Sequence, residues 1–183
     1  SLISLYELIN LSRKIWTDKL ILFIFSIISF IYLFFFTLIT FRARAWLDFE
    51  GILFILSICI LSDVGGYIVG KIIGGKKLTK ISPNKTINGS IGSFILPLFL
   101  VPMFLYILPD ETISIFNLVV IAIVVSFICQ LGDLFISYLK RKANVKDTGD
   151  LLPGHGGILD RIDGIVFAIP LGMIFLKFLT NIV

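Results

Sequence analysis

Five long apolar runs dominate this 183-residue sequence and restrict the folds open to it. A helix needs about 20 apolar residues to cross the hydrocarbon layer of a bilayer, and each run is close to that length. Only 15% of the residues are charged, whereas soluble domains carry about 25%. We therefore predict an all-α fold, a polytopic membrane helix bundle of about five transmembrane helices. The predicted spans cover residues 20–40, 51–70, 89–108, 113–139 and 164–183.

Two polar, basic loops interrupt the apolar runs. Residues 71–88 contain five lysines and no carboxylate, and residues 137–163 contain five basic residues and four carboxylates. Two spans separate these loops, so we expect them on one side of the membrane, which the positive-inside rule makes the cytoplasm. The acidic turn at 109–112 then falls on the opposite side.

Carboxylates occur where a membrane span disfavours them. Asp63 and Asp133 lie inside apolar runs, and an ionised Asp at the bilayer centre costs about 2.5–3.5 kcal/mol on insertion scales. Each either reaches the interface at a helix end or faces a partner or a water-filled cavity. Asp160 and Asp163 share a helix face, where simple capping is the alternative. Together with Asp133 and Asp147, this pair suits oxygen-ligated Mg²⁺ and a polyphosphate.

Two segments have the composition of phosphate-binding loops. The glycines of residues 153–157 allow close backbone approach to a ligand, and residues 82–86 place hydroxyls and a rigid turn between lysines. The second segment is otherwise an ordinary inside-facing basic loop. No Walker motif or nucleic-acid-binding module is present. A zinc site is not expected, because His155 is the single histidine and Cys59 and Cys129 lie in apolar runs.

The stretch from Ser137 to Asp163 resembles the signature of the phosphatidate cytidylyltransferase family, the CDP-diacylglycerol synthases. That signature reads Ser, any residue, apolar, Lys-Arg, four variable residues, Lys-Asp, then Leu-Pro-any-His-Gly-Gly and Asp-Arg-apolar-Asp. A pattern with so many polar positions rarely arises by chance. The chain supplies every fixed position: Ser137, Leu139, Lys140, Arg141, Lys146, Asp147, Gly149, Leu152, Pro153, His155, Gly156, Gly157, Asp160, Arg161, Ile162 and Asp163.

Two further segments are similar to that family. Residues 62–70 resemble its Asp-containing span, with Gly-Gly-Tyr following Asp63. Residues 80–89 resemble its Ser-Pro-Lys-Lys-Thr loop ending in Glu-Gly. Here the sequence departs from the family pattern, since Asn84 replaces a lysine and Asn88 replaces the glutamate.

The resemblance divides the chain into two parts. Residues 50–183 are interpreted as the catalytic transmembrane domain, with cytoplasmic loops at 71–88 and 138–163. Residues 1–49 are interpreted as an amphipathic lead-in followed by the first transmembrane helix. The chain begins with Ser1 rather than Met, and family members usually carry more N-terminal spans. We therefore expect a truncated or compact version of the family.

The resemblance also implies an activity. A phosphatidate oxygen attacks the α-phosphorus of CTP, which yields CDP-diacylglycerol and pyrophosphate in phospholipid biosynthesis. Mg²⁺ or another divalent cation would assist, with a second cation allowed. The implied partners are CTP, phosphatidate, the lipid bilayer and a second copy in a homodimer. The implied location is the bacterial inner membrane, with the active site facing the cytoplasm.

Residue roles follow from the same resemblance. Asp133 and Asp160 are assigned to the metal, and Asp163 and Asp147 are assigned as further ligands or supporting groups. The basic members of the site would hold the triphosphate or the lipid phosphate. The predicted catalytic residues are Asp133, Lys140, Arg141, Lys146, Asp147, His155, Asp160, Arg161 and Asp163. The predicted substrate-binding residues are Asp63, Ser82, Lys85, Thr86, Gly156 and Gly157.

Two other functions remain open from the sequence. A CTP-dependent lipid-alcohol kinase would use similar basic and acidic groups but would release CDP rather than pyrophosphate. An ion or proton transporter could use Asp63 and Asp133, although that function leaves residues 137–163 unexplained. A CDP-alcohol phosphotransferase is disfavoured, because no Asp-Gly-x-x-Ala-Arg run occurs.

Overall fold

All regular structure in the described part of the chain is helical, which confirms the predicted all-α fold. The computed structural model describes residues 1–46, 49–107, 114–151, 154 and 156–180. The predicted acidic turn at 109–112 lies outside these residues. The helices are α1 (Leu2–Ile15), α2 (Lys19–Trp46), α3 (Phe49–Ile72), α4 (Ile87–Leu98), α5 (Leu100–Ile107), α6 (Ile115–Lys142) and α7 (Leu159–Thr180).

Within the described residues, five helical segments are long and apolar enough to cross a membrane. Their outer faces expose many phenylalanine and isoleucine side chains, as expected for surfaces that contact lipid. The protein is therefore an integral membrane protein, and the predicted number of spans is confirmed. The segments are Lys19–Arg42, Glu50–Ile72, Ile87–Tyr106, Ile115–Lys142 and Leu159–Leu179.

The helices extend further into the second basic loop than the sequence suggested. The fourth span continues to Lys142 and the fifth begins at Leu159, which leaves a connection of residues 143–158. Lysine side chains at a helix end can bury their stems and keep their ammonium groups in water. Asp160 lies in the first turn of α7, where the positive end of the helix dipole stabilises its carboxylate.

The third span is broken into α4 and α5. Pro97 lies in the last turn of α4, and the amide of Phe99 donates to the Leu96 carbonyl at 3.2 Å, in a tighter turn than an α-helix makes. Pro102 has no amide hydrogen to offer the carbonyl four residues earlier. The two prolines therefore account for the break.

Helices α3 and α4 approach each other through glycine. A Cβ atom on Gly65 would lie 2.4 Å from the Gly92 carbonyl oxygen, and one on Gly92 would lie 2.5 Å from a methyl of Val69. Small residues allow such backbone contact between membrane helices. The contact fixes α3, which carries Asp63, against the helix that follows the first basic loop.

Helix α1 packs into the bundle rather than extending away from it. Leu8 and Leu11 belong to a buried cluster with residues of α2, α6 and α7. A second buried cluster joins α3, α5, α6 and α7 around Phe54 and Ile58. The N-terminal lead-in is thus a helix, and it meets the start of α7, where Leu159 lies in the first of these clusters.

Replacing Gly92 with leucine should separate α3 from α4. An added side chain would overlap Val69 and the Gly65 carbonyl, and overpacking of this kind costs about 1–3 kcal/mol. We expect the melting temperature of the purified protein in detergent to fall by several degrees. Ile91→Ala, at a neighbouring exposed position, is the matched control and should change it little. An unchanged melting temperature in Gly92→Leu would contradict the close contact.

Candidate active site

A cavity of about 340 Å³ lies between α3, α4, α6 and the first basic loop. We call residues 73–86 the lysine loop. Five residues predicted for the site, Asp63, Ser82, Lys85, Thr86 and Asp133, line this cavity together. The structure therefore brings two intramembrane carboxylates and the lysine loop to one place. The other polar side chains of the lining belong to Tyr67, Asn84, Ser90, Ser93 and Gln130.

Backbone pairing and a helix cap shape the lysine loop. The amide of Leu78 donates to the Lys85 carbonyl at 2.8 Å, which folds the loop back on itself. Thr86 caps α4, because its hydroxyl accepts from the Gly89 amide at 3.0 Å. The backbone of Lys85 is therefore held by its own bond to Leu78 and by the helix cap at the next residue, Thr86.

Asn88 closes the base of the loop. Its Nδ2 donates to the Gly74 carbonyl at 2.9 Å. An ionised glutamate, which the family pattern has at this position, has no hydrogen to donate. Asn88, which departs from the family pattern, therefore forms a hydrogen bond that an ionised glutamate could not donate.

The lysine loop docks onto α6 at two points. Lys85 forms an ion pair with Asp133, and the Ser137 hydroxyl donates to the other oxygen of that carboxylate at 3.2 Å. One helical turn beyond Ser137, the Arg141 Nε donates to the Ile81 carbonyl at 3.2 Å. These contacts place the lysine loop and the C-terminal end of α6 at the same end of the bundle.

Gln130 is a cavity residue that the sequence analysis missed. The Ser90 hydroxyl donates to its Oε1 at 2.5 Å, which joins α4 to α6. Its Nε2 is buried and has no hydrogen-bond partner among the described residues. The available signal was an amide side chain inside an apolar run, one helical turn before Asp133.

A second polar group surrounds Asp160. Lys140 Nζ lies 2.6 Å from one carboxylate oxygen. The other oxygen accepts from the amides of Thr148 and Gly157 at 2.8 and 2.9 Å, and lies 3.0 Å from the Thr148 hydroxyl. Asp160 therefore binds the connection between α6 and α7 to the start of α7.

That connection places Asp147 beside Asp160. Gly156 has a positive φ of 82°, and a Cβ atom there would lie 3.1 Å from the Cβ of Asp147 and 2.9 Å from an Asp160 oxygen. Only glycine fits this position without strain. The predicted residues Lys146, Asp147 and Arg161 are exposed, and His155 lies outside the described residues.

Asp163 connects the two groups. Helices α6 and α7 cross closely at Gly132, where a Cβ atom would lie 2.9 Å from the Asp163 carbonyl oxygen. Asp163 and Asp63 each lie within the electrostatic reach of Asp133. One oxygen of Asp163 accepts from the Gly164 amide at 2.8 Å. Asp63 and Asp133 thus line the cavity and Asp163 lies near it without lining it, while Asp160 is bound to Lys140.

Glu7 is a second residue that the sequence analysis missed. It is only 2% exposed, and its carboxylate accepts from the amides of Ile158 and Leu159 at 2.9 and 2.8 Å. Helical spacing places residue 7 on the same face as Leu8 and Leu11. A carboxylate on an apolar helix face was the signal that could have identified it.

Comparisons with known proteins identify relatives. The family model described as "Cytidylyltransferase family" matches residues 2–179. A Staphylococcus saprophyticus protein named phosphatidate cytidylyltransferase is 47% identical over 121 residues, which cover 66% of this chain and 46% of the relative. A Bacillus subtilis protein of the same name is 43% identical over 137 residues, which cover 73% of this chain and 49% of the relative. The chain spans about half the length of the curated relatives it matches.

Removing the charge of Asp133 should loosen the lysine loop. Asp133→Asn leaves Lys85 without its ion pair, so we expect trypsin to cleave the loop several times faster in detergent. Cleavage products are followed by mass spectrometry. Asp18→Asn, an exposed change in the connection between α1 and α2, is the control and should leave cleavage unchanged. Equal cleavage rates in wild type and Asp133→Asn would show that the pair does not hold the loop.

Proposed function

Because the chain belongs to the cytidylyltransferase family, we propose that it transfers a cytidylyl group from CTP to phosphatidate, forming CDP-diacylglycerol and pyrophosphate. The observation that carries the proposal is the cavity in which Lys85 of the lysine loop meets Asp133 of α6. The relatives named phosphatidate cytidylyltransferase support it. So does the position of this polar site at one end of an apolar bundle, where a lipid phosphate and a water-soluble nucleotide can both arrive.

The reaction needs positioned positive charge. A phosphatidate oxygen forms a bond to the α-phosphorus of CTP while the bond to the departing pyrophosphate breaks. Negative charge on the phosphate oxygens must be neutralised throughout, and such transfers depend mainly on positioning and electrostatic stabilisation. Among the described residues that line the cavity, Lys85 is the basic one. In this proposal it turns from Asp133 to a substrate phosphate. Arg141, which is exposed beside the lysine loop, would bind further phosphate oxygens.

The carboxylates suit Mg²⁺. Mg²⁺ prefers oxygen ligands and is usually held by one or two carboxylates together with substrate phosphates. Asp133 and Asp163, with Asp63 nearby, offer that donor set. Among the described residues no group of three or more His, Cys, Asp or Glu side chains forms a metal site by itself, and a site completed by substrate needs none. When bound, the ion would neutralise phosphate charge.

In this proposal Asp160 has a structural role, whereas the sequence suggested that it binds the metal. Both of its oxygens accept hydrogen bonds from the protein. We therefore propose that it fixes the connection before α7 and orients the Lys140 ammonium group. Its assignment as a metal ligand stays a prediction, as do the roles of Asp147 and His155.

The proposed location is the inner membrane of a bacterium, with the cavity on the cytoplasmic side. The relatives come from bacteria, and the lysine loop and the basic end of α6 meet at one end of the bundle. Basic residues of membrane proteins accumulate on the cytoplasmic side. Cytosolic CTP would reach the cavity from there. The homodimer implied by the resemblance stays a prediction.

The test is product analysis on the purified chain in lipid nanodiscs with radiolabelled CTP, phosphatidate and Mg²⁺. We expect labelled CDP-diacylglycerol and an equal amount of pyrophosphate. Lys85→Met should lower kcat by about 100-fold or more, because it removes a positioned charge that stabilises the transition state. Lys76→Gln, an exposed lysine in the same loop, is the matched control and should retain activity.

Two results would contradict this proposal. In a parallel reaction with a lipid alcohol in place of phosphatidate, release of CDP together with a phosphorylated lipid alcohol would indicate a kinase. Full activity in Lys85→Met would show that this cavity is not the catalytic site, even if CDP-diacylglycerol were the product.

A further inference from the structure

The buried carboxylate of Glu7 has no role in the reaction proposed above, yet it lies at the start of α7. Its two oxygens accept from successive amides, Ile158 at 2.9 Å and Leu159 at 2.8 Å. Amides at a helix N-terminus have no partner within the helix, and the helix dipole favours an anion there. Glu7 thus supplies from α1 the cap that α7 lacks in its own sequence.

The connection before α7 is shaped around this carboxylate. A Cβ atom on Gly149 would lie 3.0 Å from Glu7 Oε1, and one on Gly157 would lie 2.7 Å from the same oxygen. Both glycines belong to the stretch that resembles the family signature. Any larger residue at either position would collide with the Glu7 carboxylate or displace it.

Thr148 links Glu7 to the site. Its hydroxyl lies 3.2 Å from Glu7 Oε2 and 3.0 Å from Asp160 Oδ2. A hydroxyl has one hydrogen to donate, so it serves one carboxylate at a time. Asp160 in turn binds Lys140. A continuous polar path therefore runs from α1 to the lysine at the end of α6.

Other contacts hold α1 in place without Glu7. Leu8 and Leu11 are buried in the cluster that includes Leu139 and Leu159, and Lys142 Nζ lies 5.3 Å from the centre of the Trp16 ring. A change confined to the Glu7 carboxylate should therefore leave α1 docked. Its effect should be limited to the connection between α6 and α7.

We propose that Glu7 is a positioning residue, which holds Thr148 and the backbone of Ile158 and Leu159, and through them the geometry of Asp160 and Lys140. In this role α1 is part of the active-site scaffold. The effect on turnover rests on the proposed function, whereas the effect on the backbone does not. The two are therefore measured separately.

The experiment compares wild type with Glu7→Gln and Glu7→Asp. Glutamine keeps the size of glutamate, but its amide nitrogen would face a backbone donor in place of one carboxylate oxygen. Hydrogen exchange followed by mass spectrometry should show about tenfold faster exchange in peptides covering residues 148–159 of Glu7→Gln. The kcat should fall about tenfold or more, with a smaller change in the KM for CTP, because misplaced groups reduce turnover. Glu7→Asp keeps the charge and should recover part of both losses.

Leu11→Ala separates positioning from general destabilisation. It removes buried apolar contacts from the same face of α1 and should lower the melting temperature at least as much as Glu7→Gln does. Its kcat per folded molecule should stay close to that of wild type. The proposal is overturned if exchange in 148–159 is unchanged in Glu7→Gln. It is also overturned if the kcat losses of both variants follow their melting temperatures. A wild-type chain without turnover would refute the proposed function, while the exchange measurement would still decide whether Glu7 holds the backbone.

Discussion

A carboxylate buried in an apolar helical bundle needs a cation or several hydrogen-bond donors, because the charge loses its hydration there. At the polar end of this protein, that requirement determines which segments meet. Asp133 binds Lys85 and so docks the lysine loop. Asp160 binds Lys140 and the backbone of the following connection. Glu7 binds the start of α7. Asp133 organises the lysine loop, Asp160 and Glu7 share the connection before α7, and together the three carboxylates form one polar region.

Close helix packing makes these contacts between distant segments possible. Hydrophobic burial gives little drive for association in lipid, so membrane helices depend on shape and on small residues at their contacts. Gly65 and Gly92 bring α3 against α4. Gly132 and Gly164 bring α6 against α7, which places Asp133 and Asp163 on facing helices. The geometry of the polar region therefore depends on positions that carry no functional group.

The sequence was sufficient for the features that depend on local composition. Hydropathy determines where a span forms, and an Asp inside a span is visible without any tertiary information. The resemblance to a known signature then located the segments that line the cavity or border it. Boundaries were less well predicted, because Lys140 and Lys142 continue a helix that charge alone suggested would end.

Contacts between residues that are far apart in the sequence could not be predicted in the same way. Asp160 was expected to hold a metal, and in the described part of the fold its oxygens bind Lys140, the Thr148 hydroxyl and two backbone amides. Glu7 and Ile158 are separated by 151 positions, and no spacing rule relates residues so far apart. Their contact arises from the packing of α1 beside α7, which only the folded bundle reveals.

The same separation affects the order in which the protein can be assembled. During synthesis, Glu7 emerges long before the amides of Ile158 and Leu159 exist. Until then its charge has to stay in the aqueous interface, and an amphipathic helix that lies along the membrane surface provides that position. The contact between α1 and α7 can form only after α7 has been made. Completing the polar region therefore requires a late docking step between an earlier and a later helix of this chain.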